Sequence, residues 1–193
     1  MFLSSSQLKK LILLAAAAAL PATAHADGIS ATATVTDALV SPGVYDYSIT
    51  LNNTGTTTIG TFWFGWVPGA GLLSATPTSI IAPTGWTDQT TNAGTAVRWV
   101  TSSSLLAPGD SLSGFSFDST ETPAQMLLDF TGTGVGSGDP ETTSYVYIAA
   151  PLADPGYRFV AAVAESATPE PSTMLLLLTG GGLVALFKRR LMA

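Results

Sequence analysis

The sequence predicts an all-β domain, an antiparallel β-sandwich of the immunoglobulin-like kind, over residues 27–160. Short runs in which apolar and polar side chains alternate recur through this region. Gly, Pro, Asn and Asp interrupt the runs, as they do in turns. No segment has the periodicity of a long amphipathic helix, and about seven short strands separated by turns are typical of a sandwich.

The clearest strand is VYDYSITLNN, in which Tyr45, Tyr47, Ile49 and Leu51 alternate with polar residues. This pattern places one apolar face against a sheet-on-sheet core. Further strands are predicted at residues 29–40, 61–67, 95–101, 111–118, 124–132 and 144–150. The segment 124–132 is also compatible with a short helix.

Residues 1–26 have the three parts of a secretory signal peptide. Lys9 and Lys10 precede an apolar stretch over residues 11–20, and Ala24 and Ala26 form the small-residue cleavage motif. The alternative, a retained membrane anchor, requires a longer apolar stretch. The mature chain is therefore predicted to begin at Asp27 and to be exported.

The charge of the mature region restricts the classes of function. All 13 acidic residues lie between Asp27 and Glu170, against only two basic ones, Arg98 and Arg158, which gives a net charge of −11. Such a surface repels nucleic acid, so no nucleic-acid partner is predicted. The region also lacks Lys, His and Cys. This absence excludes Ser-His-Asp, Cys-His and Schiff-base catalysis there, and zinc sites built from imidazole or thiolate.

The C-terminal region has three successive parts after a small, proline-punctuated linker over residues 161–168. Pro169, Glu170 and Pro171 come first, followed by an uncharged apolar run over residues 172–187. Lys188, Arg189 and Arg190 close the run. The run predicts one transmembrane helix about 24 Å long, and the basic cluster holds its end in the cytoplasm.

This tripartite ending, over residues 169–193, resembles the PEP-CTERM sorting signal of exported Gram-negative bacterial proteins. The resemblance implies recognition by an exosortase, removal of the helix near Pro169-Glu170-Pro171, and transfer to the cell surface or an exopolysaccharide matrix. The inner membrane is then a transient partner, with the domain in the periplasm. Because Pro169 and Pro171 keep the backbone extended, Glu170 is presented in the geometry that a protease needs. An ordinary C-terminal anchor is the alternative.

The leading functional hypothesis is a non-enzymatic surface or matrix protein, a sorted substrate of exosortase. The alternative is a carbohydrate-binding module that adheres to exopolysaccharide through tryptophan rings. Trp63, Trp66 and Trp86 are the candidate sugar-stacking residues, although a tryptophan is more often part of a core. Trp63 and Trp66 lie on opposite faces of one predicted strand, so one of them lies under a loop or is exposed. Trp86, in the turn-like PTGWTD, is predicted to be the most exposed.

A third hypothesis is a carboxylate-based glycosidase, which needs two acids about 5 to 9.5 Å apart. The available acids are Asp88, Asp110, Asp118, Glu121, Asp129, Asp139, Glu141 and Asp154. Most lie beside turns, where aspartate is common for local reasons, so no catalytic residue is assigned. No cofactor is predicted; calcium is the ion that the loop Gly138-Asp139-Pro140-Glu141 would suit, because it needs only oxygen ligands.

Overall fold

The computed structural model describes residues 28–149 and 156–164, which form two stacked β-sheets. The strands are β1 (Ala31–Ser41), β2 (Val44–Asn53), β3 (Thr61–Phe64), β4 (Trp66–Val67), β5 (Ala70–Gly71), β6 (Thr78–Ile81), β7 (Thr87–Thr91), β8 (Ala96–Val100), β9 (Ser111–Ser119), β10 (Thr143–Tyr147), β11 (Tyr157–Val160) and β12 (Ala162–Val163). One short helix, α1 (Pro123–Met126), follows β9, and a 3-10 turn (Asn92–Gly94) precedes β8.

Each sheet has five strands. The first has the order β12-β1-β2-β9-β6 and the second β11-β10-β3-β8-β7, while β4 and β5 form a separate two-stranded ribbon. Every pairing in the described part of the chain is antiparallel except that of β1 with β12. The all-β antiparallel sandwich is therefore confirmed, and the finer comparison with immunoglobulin domains stays a prediction.

The core lies between the two sheets and is rich in aromatic rings. Strand β2 contributes Tyr47, Ile49 and Leu51, all fully buried as the alternation predicted. Rings of the two sheets meet directly: the Phe62 and Phe115 centroids are 5.4 Å apart and nearly perpendicular. Such edge-to-face contacts add to the free energy gained by burying the ring surface.

Two predicted strands differ from the structure for local reasons. The segment 61–67 is broken at Gly65, whose φ of +64° turns the chain so that β4 leaves the sheet. The segment 124–132 contains α1 instead of a strand, as its alternative allowed. Thr122 and Gln125 form a capping box around a helix that has Pro123 in its first turn.

Strands β5, β6 and β7 and the strands after residue 155 were not predicted. The β7 sequence TDQTT has no apolar alternation, because this strand lies at the exposed edge of its sheet. Strand β6 contains Ser79 at a φ of +48° and pairs irregularly with β9, so its pattern is also interrupted. Edge strands depend on their neighbour for pairing more than on a buried face, and a hydrophobic pattern misses them.

The predicted linker begins too early. Ala161 is buried in the core, and Ala162–Val163 forms β12, in register with Thr34 and Val35 of β1. The Ala164 backbone N–H also donates to the Val35 carbonyl at 2.8 Å. The domain therefore includes residues predicted to be linker. Residues with small side chains are common in linkers, but their backbone can also pair with the edge strand of a sheet.

The predicted signal peptide with Ala24 and Ala26, and the tail with Glu170, lie outside the described residues. Over residues 28–149 and 156–164, no helix has the length and apolar character needed to cross a membrane.

Candidate functional site

The three candidate tryptophans are all buried. Trp63 and Trp66 stack on each other with ring centroids 4.2 Å apart, in a small cluster on the outer face of the second sheet. This cluster is separate from the main core. The prediction that the two rings lie on opposite faces is wrong, because the turn at Gly65 brings Trp66 to the same face as Trp63. Neither ring presents a free face to solvent, since they are only 5% and 3% exposed.

The prediction that Trp86 is exposed is wrong. Its ring is 6% exposed and meets the edge of Phe115 at a centroid distance of 5.3 Å. The turn explains this orientation: Gly85 has a φ of +84°, and the Trp86 N–H donates to the Pro83 carbonyl at 2.9 Å. The chain reverses there and directs the indole inward, where Nε1 donates to the Ser104 carbonyl.

A row of hydrogen-bonding side chains crosses the outer face of the second sheet. Strand pairing aligns Gln89 with Arg98, Arg98 with Trp63, Trp63 with Tyr145, and Tyr145 with Arg158. We call these five residues the outer row. Arg98 and Tyr145 are partly exposed, whereas Gln89 and Arg158 are exposed. Both arginines of the acidic domain therefore occupy one line on one face.

Contacts within the outer row hold its planar groups in place. The Arg98 guanidinium lies over the Trp63 ring, 5.3 Å from its centroid, and donates to the Gln89 amide oxygen. Trp66 contacts both Trp63 and Tyr145, and it is edge-on to the tyrosine with centroids 5.4 Å apart. Two buried donors in this cluster, Trp63 Nε1 and Arg98 Nε, have no hydrogen-bond partner. These contacts fix the orientation of the planar groups in the row, and the two unpartnered donors are buried beneath its surface.

An open depression of about 490 Å³ adjoins the outer row. Its lining includes Thr87 and Val100, which pair on β7 and β8 two residues from Gln89 and Arg98. Side chains two residues apart on a strand share a face, so the depression continues the surface of the row. The remaining lining combines the Ser102 and Thr101 hydroxyl residues with apolar Leu105 and Ala149. This mixture of hydroxyl and apolar groups suits an uncharged polar ligand.

The structure brings together two of the eight candidate acids. Glu121 and Glu141 are each 4% exposed, and their side chains are in hydrogen-bonding contact. The Ala75 N–H donates to Glu121 Oε1, and the Ser74 hydroxyl donates to Glu141 Oε1. Asp88, Asp110, Asp118, Asp129 and Asp139 are exposed or half-buried elsewhere, and Asp154 lies outside the described residues. The Glu pair is closer and more enclosed than a glycosidase pair, which needs about 5 to 9.5 Å and access for the sugar.

Burial and the neighbouring carboxylate change the pKa of Glu121. Burial away from water is the larger cause and repulsion from the Glu141 carboxylate the smaller one; together they raise the pKa of Glu121 to about 8. The Tyr47 hydroxyl donates to the Glu121 backbone carbonyl at 2.6 Å. Burial, together with Asp37 and Glu121, raises the pKa of Tyr47 far above its usual range.

The two acids of the loop Gly138-Asp139-Pro140-Glu141 point in different directions. Asp139 forms an ion pair with Arg158, while Glu141 is turned inward to Ser74. The described residues bring no group of three His, Cys, Asp or Glu side chains together. The loop therefore does not bring its two acidic side chains together.

Sequence reasoning missed Arg98, Tyr145 and Gln89 as candidate site residues. A signal for Arg98 was present, because it is one of only two basic residues in the mature region. Tyr145 and Gln89 carried no signal of this kind, since their position in the row depends on the register between strands, which the sequence of one strand does not show.

Comparison with known proteins does not assign the chain to a family. No protein family and no curated protein matches the sequence. Among solved structures, a GH20 exo-β-N-acetylglucosaminidase from Vibrio harveyi is 12% identical, with a TM-score of 0.40 over 72% of this chain. The match covers only 19% of that enzyme.

Two further similarities are to smaller proteins. The chitin-binding domain of Chi18aC from Streptomyces coelicolor is 26% identical over 46% of this chain and 78% of that domain, with a TM-score of 0.32. A CBM3 of Hungateiclostridium clariflavum is 12% identical over 63% of this chain and 95% of its own, with a TM-score of 0.36. At these TM-scores the similarities establish no shared function.

Proposed function

We propose that this domain is a non-catalytic binding module that attaches to a neutral polysaccharide through the outer row. The single observation that carries the proposal is the in-register alignment of Gln89, Arg98, Trp63 and Tyr145 on one sheet face. Amide, guanidinium and phenol groups together donate and accept hydrogen bonds, as paired sugar hydroxyls require. The row and its adjoining depression offer an extended surface for a chain of sugar rings.

The charge of the domain indicates which polysaccharides are suitable. A net charge of −11 over residues 27–170 repels polymers rich in uronate or sulfate. Arg98 is held by Gln89 and by the Trp63 ring, so it acts as a directional donor and not as a free cation. A neutral polymer fits both features, and its binding should depend only weakly on salt.

Replacing Tyr145 or Arg98 with alanine is expected to weaken polysaccharide binding at least about tenfold, because each removes a hydrogen-bonding group from the row. Affinity electrophoresis in gels containing the host's neutral exopolysaccharide measures the effect. Tyr45→Ala is the matched control, because Tyr45 is a partly buried tyrosine on the other sheet. Unchanged retardation of both row variants, with far-UV circular dichroism showing native folding, would contradict the proposal.

We further propose that the tail delivers this module to the cell surface. The observation that favours it is the order of Pro169-Glu170-Pro171, apolar run and basic cluster, combined with the N-terminal signal peptide. This arrangement resembles an exosortase substrate, and a secreted binding module must reach the matrix that it binds. Sorting and binding are separate properties, and each has its own test.

Intact-mass spectrometry of the mature protein tests the sorting proposal. The C-terminal residues after the Pro169-Glu170-Pro171 motif are expected to be lost only in cells that contain the exosortase. Glu170→Ala should leave the tail attached. The control Glu165→Ala also removes an acidic residue, but outside the motif, so the tail of this variant should be removed normally. An identical mass with and without the exosortase would make the tail an ordinary anchor.

A further inference from the structure

The Glu121–Glu141 pair joins three parts of the chain at one end of the sandwich. Glu121 lies between β9 and α1, Glu141 precedes β10, and both carboxyl groups accept hydrogen bonds from the loop at Ser74 and Ala75. Tyr47 of the first sheet donates to the Glu121 carbonyl. The pair therefore connects the first sheet to loops around the second.

Neither cation in the part of the chain that the structure describes, Arg98 or Arg158, balances the pair. The arginines of the described region are engaged elsewhere, Arg98 with Gln89 and Arg158 with Asp139. Two buried carboxylates without a counter-charge would be strongly destabilising. The charged or titratable groups near the pair are instead acidic or phenolic, namely Tyr47 and, beside it, Asp37 and Tyr45.

The hydrogen bonds at the pair leave one carboxylate oxygen without a donor, and a single proton would satisfy it. Glu141 accepts from the Ser74 N–H and the Ser74 hydroxyl, and Glu121 Oε1 accepts from the Ala75 N–H. Glu121 Oε2 is buried and has no donor, although it belongs to a side chain in contact with Glu141. A hydrogen on Glu121 Oε2 would supply the missing partner and remove one negative charge.

We propose that Glu121 and Glu141 share one proton at neutral pH, forming a carboxyl–carboxylate latch that closes this end of the sandwich. Opening the latch requires only loss of that proton, after which two buried carboxylates repel each other. The pair is thus a pH-sensitive device that favours the closed fold in acidic and neutral surroundings. It is independent of the outer row, which lies on the outer face of the second sheet.

The direction of the pH effect follows from linkage. The pKa of Glu121 is about 8 in the folded protein, against an ordinary value of 4.5, so the folded state binds an extra proton between these values. The stabilisation is complete below the ordinary value and is lost as pH rises through the folded one. For one proton, the folding equilibrium constant falls about tenfold per pH unit over this window.

Urea unfolding of the domain at pH 5, 6, 7 and 8 tests the latch within the window set by its pKa values. Glu121→Gln should abolish the Glu121 part of this slope and be more stable than wild type at pH 8, because an amide keeps a donor toward Glu141 without titrating. Glu141→Gln should reduce the slope in part, because it removes the repulsion on Glu121 but not its burial, and it serves if the first variant fails to fold. Asp110→Asn, an exposed turn carboxyl, is the matched control and should keep the wild-type slope.

Infrared spectroscopy supplies an independent readout. Wild type at pH 6 should show the carbonyl stretch of a protonated carboxylic acid, and Glu121→Gln should lack it. A wild-type slope retained in both glutamine variants would overturn the latch. Stabilisation of wild type by millimolar calcium that is lost in Glu121→Gln would also overturn it, because the pair would then hold a cation instead of a proton.

Discussion

Replacing Trp99 with alanine is expected to lower the free energy of unfolding by about 3 to 5 kcal/mol. Trp99 is fully buried at the centre of the core, stacked on Phe62 and edge-on to Phe115, each with centroids 5.3 Å apart. Its Nε1 also donates to the Ile81 carbonyl at 2.9 Å, which ties β8 to the other sheet at β6. Truncation therefore leaves a cavity between the sheets and an unpaired carbonyl.

The measurement is the urea midpoint and slope of unfolding for wild type and variant. Leu39→Ala is the control, because Leu39 is 63% exposed at the end of β1 and its truncation should change stability by less than about 0.5 kcal/mol. A Trp99→Ala loss below about 1 kcal/mol would mean that the sheets do not pack through this ring. Since the loss is a stability effect, polysaccharide binding by the remaining folded fraction should persist.

The strands with a buried face could be predicted from sequence because alternation is a direct record of burial. Strand β2 matches its predicted bounds, since its neighbours on both sides leave one face in the core. Strand β7 could not be predicted from alternation because its hydroxyl and carboxyl side chains are mostly exposed on both faces. Its backbone hydrogen bonds are made with β8 alone. The pairing of one strand with another has no signature in the sequence of either strand alone.

The candidate sites were less predictable than the fold for the same reason. The outer row and the Glu121–Glu141 pair both assemble residues from different segments, nine or more positions apart, so the sequence of one segment does not reveal them. Tryptophan count suggested sugar stacking, but the indole rings are the largest apolar groups and the sandwich buries all three candidates. What remains exposed are the smaller planar groups of Arg98, Tyr145 and Gln89.

Gly65 determines whether Trp66 can cover the outer face, and Gly65→Ala is expected to lower the free energy of unfolding by about 2 to 5 kcal/mol. Gly65 has a φ of +64°, which costs an L-residue about 1 to 2 kcal/mol. An added Cβ would also lie 2.5 Å from Leu73 Cγ, a buried neighbour that cannot move freely. Overpacking of this kind adds about 1 to 3 kcal/mol.

Gly109→Ala separates the two causes, because Gly109 has a φ of +81° and no atom within 4 Å of an added Cβ. Gly109→Ala should lose only the free energy that a positive φ costs an L-residue, so the difference between the two variants measures the clash with Leu73. Relief of that clash requires β4 to shift, which would separate Trp66 from Trp63 and shift tryptophan emission toward longer wavelengths. Equal losses in both variants, with unchanged emission, would mean that Trp66 is held over the outer row without help from the turn at Gly65.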